Sequence, residues 1–308
     1  MIQRIAPHVY HNEYTPQPPQ AEDIVFIFRD REIYALQDPE AGVSFPQIRA
    51  LPGGLTQALE AYAAQTLIFL FRLDDRSCYL LRTWEEAQLP AGYSFENTFY
   101  LRRMNPQLMC FAGMTALHLA VWYRDNRFCG RCGHPTALHH IERALSCTDP
   151  ACTNIIYPRI SPAVIVGVTW GDRILVTRYR DRPYRGMSLV AGFCEIGEEA
   201  EQTVAREVLE ETGVHVDHIR YYATQPWGFD GNLLLGYYCE AVDPEVIRPD
   251  GEELAVAEWI PRSEINTDGS VMTLNSAPAD ETNVTSLTLT MILHFRDHPE
   301  DFASDRAR

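Results

Sequence analysis

Glutamates recur between residues 198 and 211 at a spacing that could hold a divalent cation. In a helix, Glu207, Glu210 and Glu211 stand at i, i+3 and i+4, so their carboxylates share one face. Mg²⁺ and Mn²⁺ prefer oxygen ligands of this kind, and Arg206 beside them can hold a carboxylate through a forked contact. A cation bound there would activate water and offset the charge of a phosphate. The residue types therefore indicate a site for a divalent cation.

The element that must position these carboxylates is a helix predicted over residues 199–212, with glycines at 192, 197 and 213 around it. These glycines suit a loop–helix–loop unit, and Gly213 stands where a residue after the helix adopts the left-handed conformation. The apolar arc expected to pack on a sheet consists of Val204, Ala205, Val208 and Leu209. A solvated acidic surface is the alternative interpretation of such a helix.

Four cysteines form a second candidate metal site. Two residues separate Cys129 from Cys132, four residues separate Cys147 from Cys152, and fourteen residues separate the two pairs. Paired thiolates at this spacing favour a structural Zn²⁺ bound in a tetrahedral ribbon. A disulfide or free thiols are the alternatives for these cysteines, and the fallback ligands are His134, His139 and His140.

Composition limits the classes of function. The formal net charge is −16 over 308 residues, which argues against general nucleic-acid binding because that needs a basic surface. All 26 basic residues are arginines, so Schiff-base chemistry and a P-loop lysine are excluded. The sequence shows neither a signal-peptide pattern nor a long apolar run, so we expect a cytoplasmic protein without a membrane partner.

The order of elements predicts an α/β protein in three parts. Residues 1–124 resemble an α/β domain with hairpins at 29–31 and 74–77 and a helix beginning at Asn105-Pro106. Residues 125–157 are rich in Cys, His and Gly and form the predicted zinc ribbon. Residues 158–308 return to strands, followed by the acidic helix, further strands at 220–223 and 233–240, and a closing helix at 284–295.

The acidic stretch resembles the Nudix box, G-x5-E-x7-R-E-U-x-E-E-x-G-U, where U is apolar. The fixed positions are filled by Gly192, Glu198, Arg206, Glu207, Glu210, Glu211 and Gly213, and the apolar ones by Val208 and Val214. The resemblance implies an α/β/α sandwich that hydrolyses a nucleoside diphosphate linked to another group. It also implies that Glu207, Glu210 and Glu211 bind the metals, with one of them assisting the attacking water.

A zinc ribbon directly before the box resembles the NADH diphosphatase family, which cleaves NAD(H) to nicotinamide mononucleotide and AMP. That family carries S-Q-P-W-P-F-P-x-S after the box, and this chain keeps Gln225, Pro226, Trp227 and Phe229. It departs at Thr224, Gly228, Asp230 and Asn232. The family's substrate-binding stretch here comprises Gln225, Pro226, Trp227, Gly228, Phe229, Asp230, Gly231 and Asn232. A buried aromatic turn is the alternative interpretation.

Further site residues come from the resemblance alone. It implies that Glu240 and the backbone carbonyl of Ala191 contribute to the Mg²⁺ or Mn²⁺ site. It also implies that Glu142 and Tyr157 contact substrate, although Tyr157 could equally be a packing residue between the ribbon and the Nudix part.

The leading hypothesis is therefore an NAD(H) diphosphatase that uses Mg²⁺ or Mn²⁺ and carries a structural Zn²⁺. A second enzyme hypothesis keeps the reaction and changes the substrate to ADP-ribose, another dinucleotide or the NAD cap of an RNA. A non-enzymatic zinc-ribbon module with a degenerate Nudix domain is the third, and the intact glutamates disfavour it. The resemblance also implies a homodimer.

Overall fold

A computed structural model describes residues 1–86, 89–180, 187–245, 247–248, 254–269 and 286–302. The chain forms two compact units. The N-terminal unit contains residues 3–160 together with residues 228–231. The second unit contains residues 1–2, 161–227 and the described residues from 232 onward.

Two sheets and two helices build the N-terminal unit before the ribbon. The strands are β1 (Tyr10–His11), β2 (Ile24–Phe26), β3 (Phe28–Arg29), β4 (Glu32–Asp38), β5 (Gly42–Ser44), β6 (Leu67–Leu73), β7 (Arg76–Leu81) and β8 (Ser94–Asn97). The helices are α1 (Gly54–Ala63) and α2 (Gln107–Asp125). One sheet has the order β1-β6-β7-β2, and the other has β3-β4-β5 with β8 on β4.

The ribbon is a small antiparallel sheet. Its strands are β9 (Thr136–Leu138), β10 (Leu145–Cys147) and β11 (Ile155–Ile156), with β10 in the middle. Its exposed apolar side chains include Ile141 and Ile155, so it lacks a large apolar core of its own. Small domains of this kind commonly depend on a metal for their stability.

A mixed sheet forms the centre of the second unit. Its strands are β12 (Ser161–Trp170), β13 (Arg173–Tyr179), β14 (Val190–Phe193), β15 (Val216–Trp227), β16 (Asn232–Ala241) and β17 (Leu254–Pro261). Their order is β15-β16-β12-β13-β17, and β14 pairs with β12. The β12–β16 pair is parallel, while β12 pairs antiparallel with β13 and β14.

Helices cover both faces of this sheet. On one face, α3 (Ala200–Thr212) buries Val204 and Val208 against β-strand residues such as Val166 and Cys239. On the other face, α4 (Leu287–Asp297) belongs to a separate apolar cluster that includes Tyr238. The alternation of strand side chains between two apolar cores produces the predicted α/β/α sandwich.

Most of the predicted local elements are confirmed. Both predicted hairpins are present, with Asp30 and Asp74 in positive-φ conformations at their turns. The helix predicted to begin at Asn105-Pro106 begins one residue later, at Gln107. The predicted start of the closing helix lies outside the described residues. Among those residues, no helix is both long and apolar enough to cross a membrane.

One packing prediction for the acidic helix is wrong. Leu209 was expected on the buried arc with Val208, yet its side chain is 40% exposed. Each residue advances 100° around a helix, so the sheet covers Val204 and Val208 but not the position that follows Val208.

Candidate functional site

The acidic helix α3 is fixed at both ends by local interactions. At its start, the backbone N–H of Glu199 donates to Oε1 of Gln202 at 2.9 Å, and the Glu199 side chain accepts from the backbone of Gln202. This reciprocal capping satisfies N–H groups that a helix start leaves without partners. At its end, Gly213 has φ 74° and donates to the carbonyl of Leu209 at 2.9 Å. The helix thus holds its glutamates in a defined frame.

The three predicted metal-binding carboxylates differ in exposure. The Glu207 side chain is 14% exposed and that of Glu210 is 60% exposed, whereas Glu211 is buried. Glu207 lies against the backbone of Gly192 on β14. A Cβ atom at Gly192 would come within 1.9 Å of Cδ of Glu207, so the box glycine makes room for this carboxylate.

Arg206 donates hydrogen bonds to three glutamates of the box. Its Nε donates to Oε1 of Glu198 at 2.6 Å and its Nη2 donates to Oε2 of Glu198 at 2.9 Å, a forked contact. Its Nη1 donates to Glu207 at 2.8 Å and to Glu210 at 3.0 Å. Its Nη2 also donates to the carbonyl of Phe193 at 3.0 Å, which links the helix to the end of β14.

Glu198 accepts more than the guanidinium. Its Oε2 also accepts from the backbone N–H of Glu195 at 3.0 Å and from Oγ1 of Thr203 at 2.9 Å. The hydrogen bonds from Arg206, followed by that from Glu195, lower the pKa of Glu198 to about 2. The hydrogen bonds of Arg206 to Glu198, and then to Glu207 and Glu210, raise the pKa of Arg206. Glu198 is therefore a positioning residue for Arg206.

The donor set fits divalent cations. One guanidinium stands against the four carboxylates of Glu198, Glu207, Glu210 and Glu211, so the cluster stays negative, and burying such charge is costly unless cations offset it. Among the described residues, Glu207, Glu210 and Glu211 do not form a set whose ligand atoms all lie within 4.8 Å of one another. Glu207 and Glu210 are instead held by Arg206.

The two other predicted metal contacts are placed differently. Ala191 lies on β14 directly before Gly192, next to the residue that contacts Glu207. Glu240 follows Cys239, which packs toward α3, so strand alternation directs Glu240 to the opposite face. Its carboxylate groups with Asp217 and His218. Its role in metal binding stays a prediction.

Gln225 serves the fold within the second unit. Its side chain is fully buried, and its Oε1 accepts from the backbone N–H of Leu287, the first residue of α4, at 2.6 Å. On the same strand, Pro226 and Trp227 are partly buried, and Trp227 pairs in register with Asn232. If Gln225 also contacts substrate, as predicted, it must do so while its Oε1 accepts from Leu287.

The remaining residues of the stretch belong to the N-terminal unit. Phe229 is 4% exposed and its ring lies 6.0 Å from that of Phe99. Asp230 pairs with Arg31 at 3.2 Å, and Arg31 also donates to the carbonyl of Phe229. Gly228 is close to the carbonyl of Met114, and Gly231 has φ 74°. The alternative interpretation, a buried aromatic turn, therefore fits Phe229. Arg31 offsets the charge of Asp230.

Glu142 and Tyr157 come together in the N-terminal unit. The hydroxyl of Tyr157 donates to Oε2 of Glu142 at 2.9 Å, and this bond to a carboxylate raises the pKa of the phenol. Half of Tyr157 is exposed, so it is not a fully buried packing residue. The pair forms an accessible polar group beside the exit of the ribbon.

The four cysteines of the ribbon converge as predicted. Their sulfurs all lie within 4.8 Å of one another, with Cys129–Cys152 at 3.9 Å and Cys132–Cys147 at 3.3 Å. These cysteines are not disulfide-bonded. Sulfurs that share a tetrahedral Zn²⁺ are about 3.8 Å apart, given Zn–S bonds of about 2.3 Å. The donor set therefore fits a structural zinc ion.

Backbone N–H groups favour the thiolate form of Cys129, whereas hydrogen bonding to Cys147 raises the pKa of Cys132. The hydrogen bond from the backbone of Arg131 is the largest cause that lowers the pKa of Cys129 to about 6. Nδ2 of Asn154 also donates to Sγ of Cys129 at 3.4 Å. The four cysteine sulfurs already supply four ligands, so a fallback histidine is not needed. His134 lies 3.6 Å from Asp149.

Sequence reasoning missed several residues that arrange these sites. Thr203 and the carbonyl of Phe193 support the Glu198–Arg206 pair, and Arg31 holds residues 229 and 230. Arg31 stands 199 positions from Asp230, so no local pattern connects them. Thr203 could have been found, because it lies five positions after Glu198 at the start of the helix.

Two family models match the chain. The NUDIX domain matches residues 159–278, and the NADH pyrophosphatase zinc ribbon domain matches residues 124–157. The matches are consecutive and contain the box and the four cysteines, respectively.

Curated relatives match part of their own length. A protein of Pasteurella multocida named NAD-capped RNA hydrolase NudC is 38% identical over 138 residues, covering 45% of this chain and 52% of that protein. A protein of the same name from Stutzerimonas stutzeri is 40% identical over 192 residues, covering 62% of this chain and 64% of that protein. The chain therefore matches about half to two thirds of the length of these relatives.

Among solved structures, a NUDIX hydrolase from Nitrosomonas europaea is similar at a TM-score of 0.40 and 25% identity, covering 50% of this chain and 88% of that one. The two domain matches are consecutive, and the box built around Arg206 lies within the NUDIX match. The chain thus contains a Nudix domain that directly follows a zinc ribbon domain of the NADH pyrophosphatase type.

Proposed function

We propose that the protein hydrolyses the pyrophosphate bond of NAD(H), giving nicotinamide mononucleotide and AMP, with Mg²⁺ or Mn²⁺ at the box. The observation that carries this proposal is the arrangement around Arg206, which holds Glu198, Glu207 and Glu210 in one network beside the buried Glu211. A solvated acidic surface would not need a forked contact, a glycine cradle and a buried carboxylate at once.

The residues of the site have two roles, as cation ligands and as positioning residues. A divalent cation bound here would lower the pKa of a water and offset the charge of the phosphates. Glu207, Glu210 and Glu211 would supply oxygen ligands, and Ala191 a carbonyl. Arg206 and Glu198 act as positioning residues, because their contacts fix where Glu207 and Glu210 point. A glutamate of ordinary pKa is a weak base, so any proton it accepts from water contributes little without the cation.

Candidate substrate contacts are assigned within each unit. In the N-terminal unit, the Tyr157–Glu142 pair offers a hydroxyl and a carboxylate to ribose or base groups. In the second unit, the partly buried Trp227 offers an aromatic surface for a base, and Asn232 is its strand partner. Pro226, Gly228, Phe229, Asp230 and Gly231 contribute the shape of the intervening turn.

The NAD cap of an RNA is the second candidate substrate. The curated relatives are named NAD-capped RNA hydrolase, and this similarity favours the NAD cap as a substrate of this chain. The bond cleaved would be the same, and the net charge of −16 disfavours broad contact with the RNA body. ADP-ribose and other dinucleotides are the further alternatives.

The decisive experiment is product analysis with NADH, NAD, ADP-ribose and NAD-capped RNA, each in Mg²⁺ and in Mn²⁺. We expect equal amounts of AMP and reduced nicotinamide mononucleotide from NADH. Glu211→Gln should lower turnover about 100-fold or more, because it removes a buried anionic oxygen from the cation site. Glu195→Gln is the matched control, since it removes the same charge from an exposed position outside the fixed letters of the box.

The outcomes separate the hypotheses. Cleavage of ADP-ribose with NADH intact would refute the substrate and keep the reaction class. No turnover of any of these substrates would revive the non-enzymatic ribbon module. The homodimer and residence in the cytoplasm are further proposals, testable by light scattering of the purified protein and by cell fractionation.

A further inference from the structure

Two histidines and an aspartate meet at the C-terminal end of α4, on the face of the sheet away from the box helix. His294 lies on the last turn of α4, His298 follows the final helical residue, Asp297, and Asp301 lies in the next 3-10 turn, Pro299–Phe302. Nε2 of His294 lies 3.0 Å from Oδ2 of Asp301, and the two imidazole rings are 4.6 Å apart. One ligand atom from each of the three residues lies within 4.8 Å of the other two.

These distances match the spacing of ligands around one ion. Two ligand atoms bound at about 2.0–2.2 Å in a tetrahedral site are separated by about 3.3–3.5 Å. The His294–Asp301 distance is already close to that value, and the rings of His294 and His298 lie side by side, 4.6 Å apart. Imidazole together with carboxylate is a donor set suited to Zn²⁺ or Ni²⁺.

The surroundings hold the ligands in place. The His294 side chain is 21% exposed, and its ring lies 4.8 Å from that of Tyr222. Nδ1 of His298 lies 3.1 Å from Oε1 of Glu300, the kind of outer contact that orients a metal-binding imidazole.

A simple ion pair explains less of this arrangement. It accounts for His294 and Asp301, but a second imidazole beside a protonated one would be repelled. A second ion pair, between His298 and Glu300 at 3.1 Å, would leave two charged imidazoles 4.6 Å apart and so would meet the same repulsion. A bound cation accounts for all four side chains at once.

We propose that His294, His298 and Asp301 form a binding site for a divalent transition-metal ion such as Zn²⁺ or Ni²⁺, separate from the ribbon and the box. The ion would join the end of α4 to the 3-10 turn that carries Phe302. Phe302 is 9% exposed and packs with Tyr238 and Phe295 in the core beneath α4. The site would therefore hold this end of the Nudix unit against its sheet.

Nickel uptake by the full-length protein tests the site, because nickel can be measured separately from the zinc of the ribbon. The protein, washed with a weak chelator that leaves the tetrathiolate zinc in place, is titrated with Ni²⁺ in excess Mg²⁺. We expect wild type to bind one more Ni²⁺ per chain than His298→Ala and Asp301→Asn. Nickel taken up by the box carboxylates would be equal in all variants and would cancel.

His215→Ala is the matched control, since His215 is an exposed histidine of the same unit that also pairs with an aspartate, Asp243. It should keep the wild-type nickel content. Nickel should also raise the Tm of wild type and of His215→Ala, but not of His298→Ala. His298 is half exposed, and Asp301→Asn provides a second variant if His298→Ala folds poorly. Equal nickel content in wild type and both site variants would overturn the proposal.

Discussion

Arg206 shows how much of the site depends on a side chain that does not itself react. It contacts three of the four box glutamates and one backbone carbonyl, and its side chain is 28% exposed. A lysine at this position could not make the forked contact with Glu198, because an ammonium group lacks the planar arrangement of donors. The box arginine is thus matched to a bidentate partner.

The Glu198–Arg206 pair should affect acid stability. The pKa of Glu198 is about 2 in the folded protein, against a reference value of 4.5. A lowered pKa contributes stability that is present above pH 4.5 and is lost as the pH falls toward 2. The difference in unfolding free energy between wild type and Arg206→Ala should therefore shrink across that window, measured by urea denaturation at a series of pH values.

Arg173→Ala provides the control for this pH series. Arg173 is exposed, and Cζ of its guanidinium lies 5.6 Å from the ring centroid of Trp170. Its substitution should give a stability difference that does not vary between pH 4.5 and 2. A difference for Arg206→Ala that stays constant over the same window would contradict the role given to the forked contact.

Gly192→Ala should impair activity more than stability. The added methyl group would overlap the Glu207 carboxylate, but that group is the end of a flexible side chain and can swing away at little cost to folding. Displacement of a cation ligand by about 1 Å can lower turnover about 100-fold. We expect a loss of that order in kcat with a nearly unchanged Tm. Gly130→Ala, which meets open space, should change neither.

The sequence predicted the identity of these residues better than their surroundings. The spacing of Glu207, Glu210 and Glu211 placed them correctly on one helix. It could not show that Glu211 is buried while Glu210 is 60% exposed, because the exposure depends on how the helix sits on its sheet. The contact of Gly192 with Glu207 likewise depends on the packing of β14 against α3.

At the scale of elements, strand β15 carries both the fold and the predicted recognition stretch. Gln225 lies on this strand and binds the first N–H of α4, which is 62 positions away in the sequence. A family motif can therefore retain a residue for packing as well as for substrate. Local patterns predicted strands at 220–223 and 233–240, which lie within β15 and β16, but a long-range bond of this kind has no local signal.

Gln225→Met should lower stability. Methionine fills a similar volume, but it leaves the buried N–H of Leu287 without its acceptor, at a cost of about 1–3 kcal/mol. Urea denaturation would measure this loss. Ser286→Ala, which removes a longer bond of 3.2 Å to Leu289 at the start of the same helix, should cost about 1 kcal/mol. Unchanged stability together with a raised KM would assign Gln225 to substrate instead.

At the scale of the whole molecule, the ribbon is the part whose stability depends most on an ion. Its three short strands expose apolar side chains such as Ile141, and its four sulfurs are already arranged for tetrahedral binding. The cysteine spacing predicted this centre correctly despite the unusual four-residue gap, because four thiolates can converge from loops of different length.

Cys147→Ser should remove the ribbon zinc. After a wash with a weak chelator, elemental analysis of wild type should give about one Zn²⁺ per chain, and the variant should give close to none. Cys194→Ser is the matched control, because Cys194 lies outside the sulfur cluster and should leave the zinc content unchanged. Wild-type zinc content in Cys147→Ser would show that the ion is held elsewhere.

The turn at residues 228–231 belongs to the N-terminal unit, although both strands that lead into it belong to the Nudix unit. A gene fragment that begins at residue 161 would therefore produce a Nudix domain whose Phe229 lacks Phe99 and whose Asp230 lacks Arg31. Recombination that joins this Nudix domain to a different N-terminal region would meet the same problem. The two parts are expected to be inherited together, and grafting experiments should transfer residues 1–160 along with the catalytic domain.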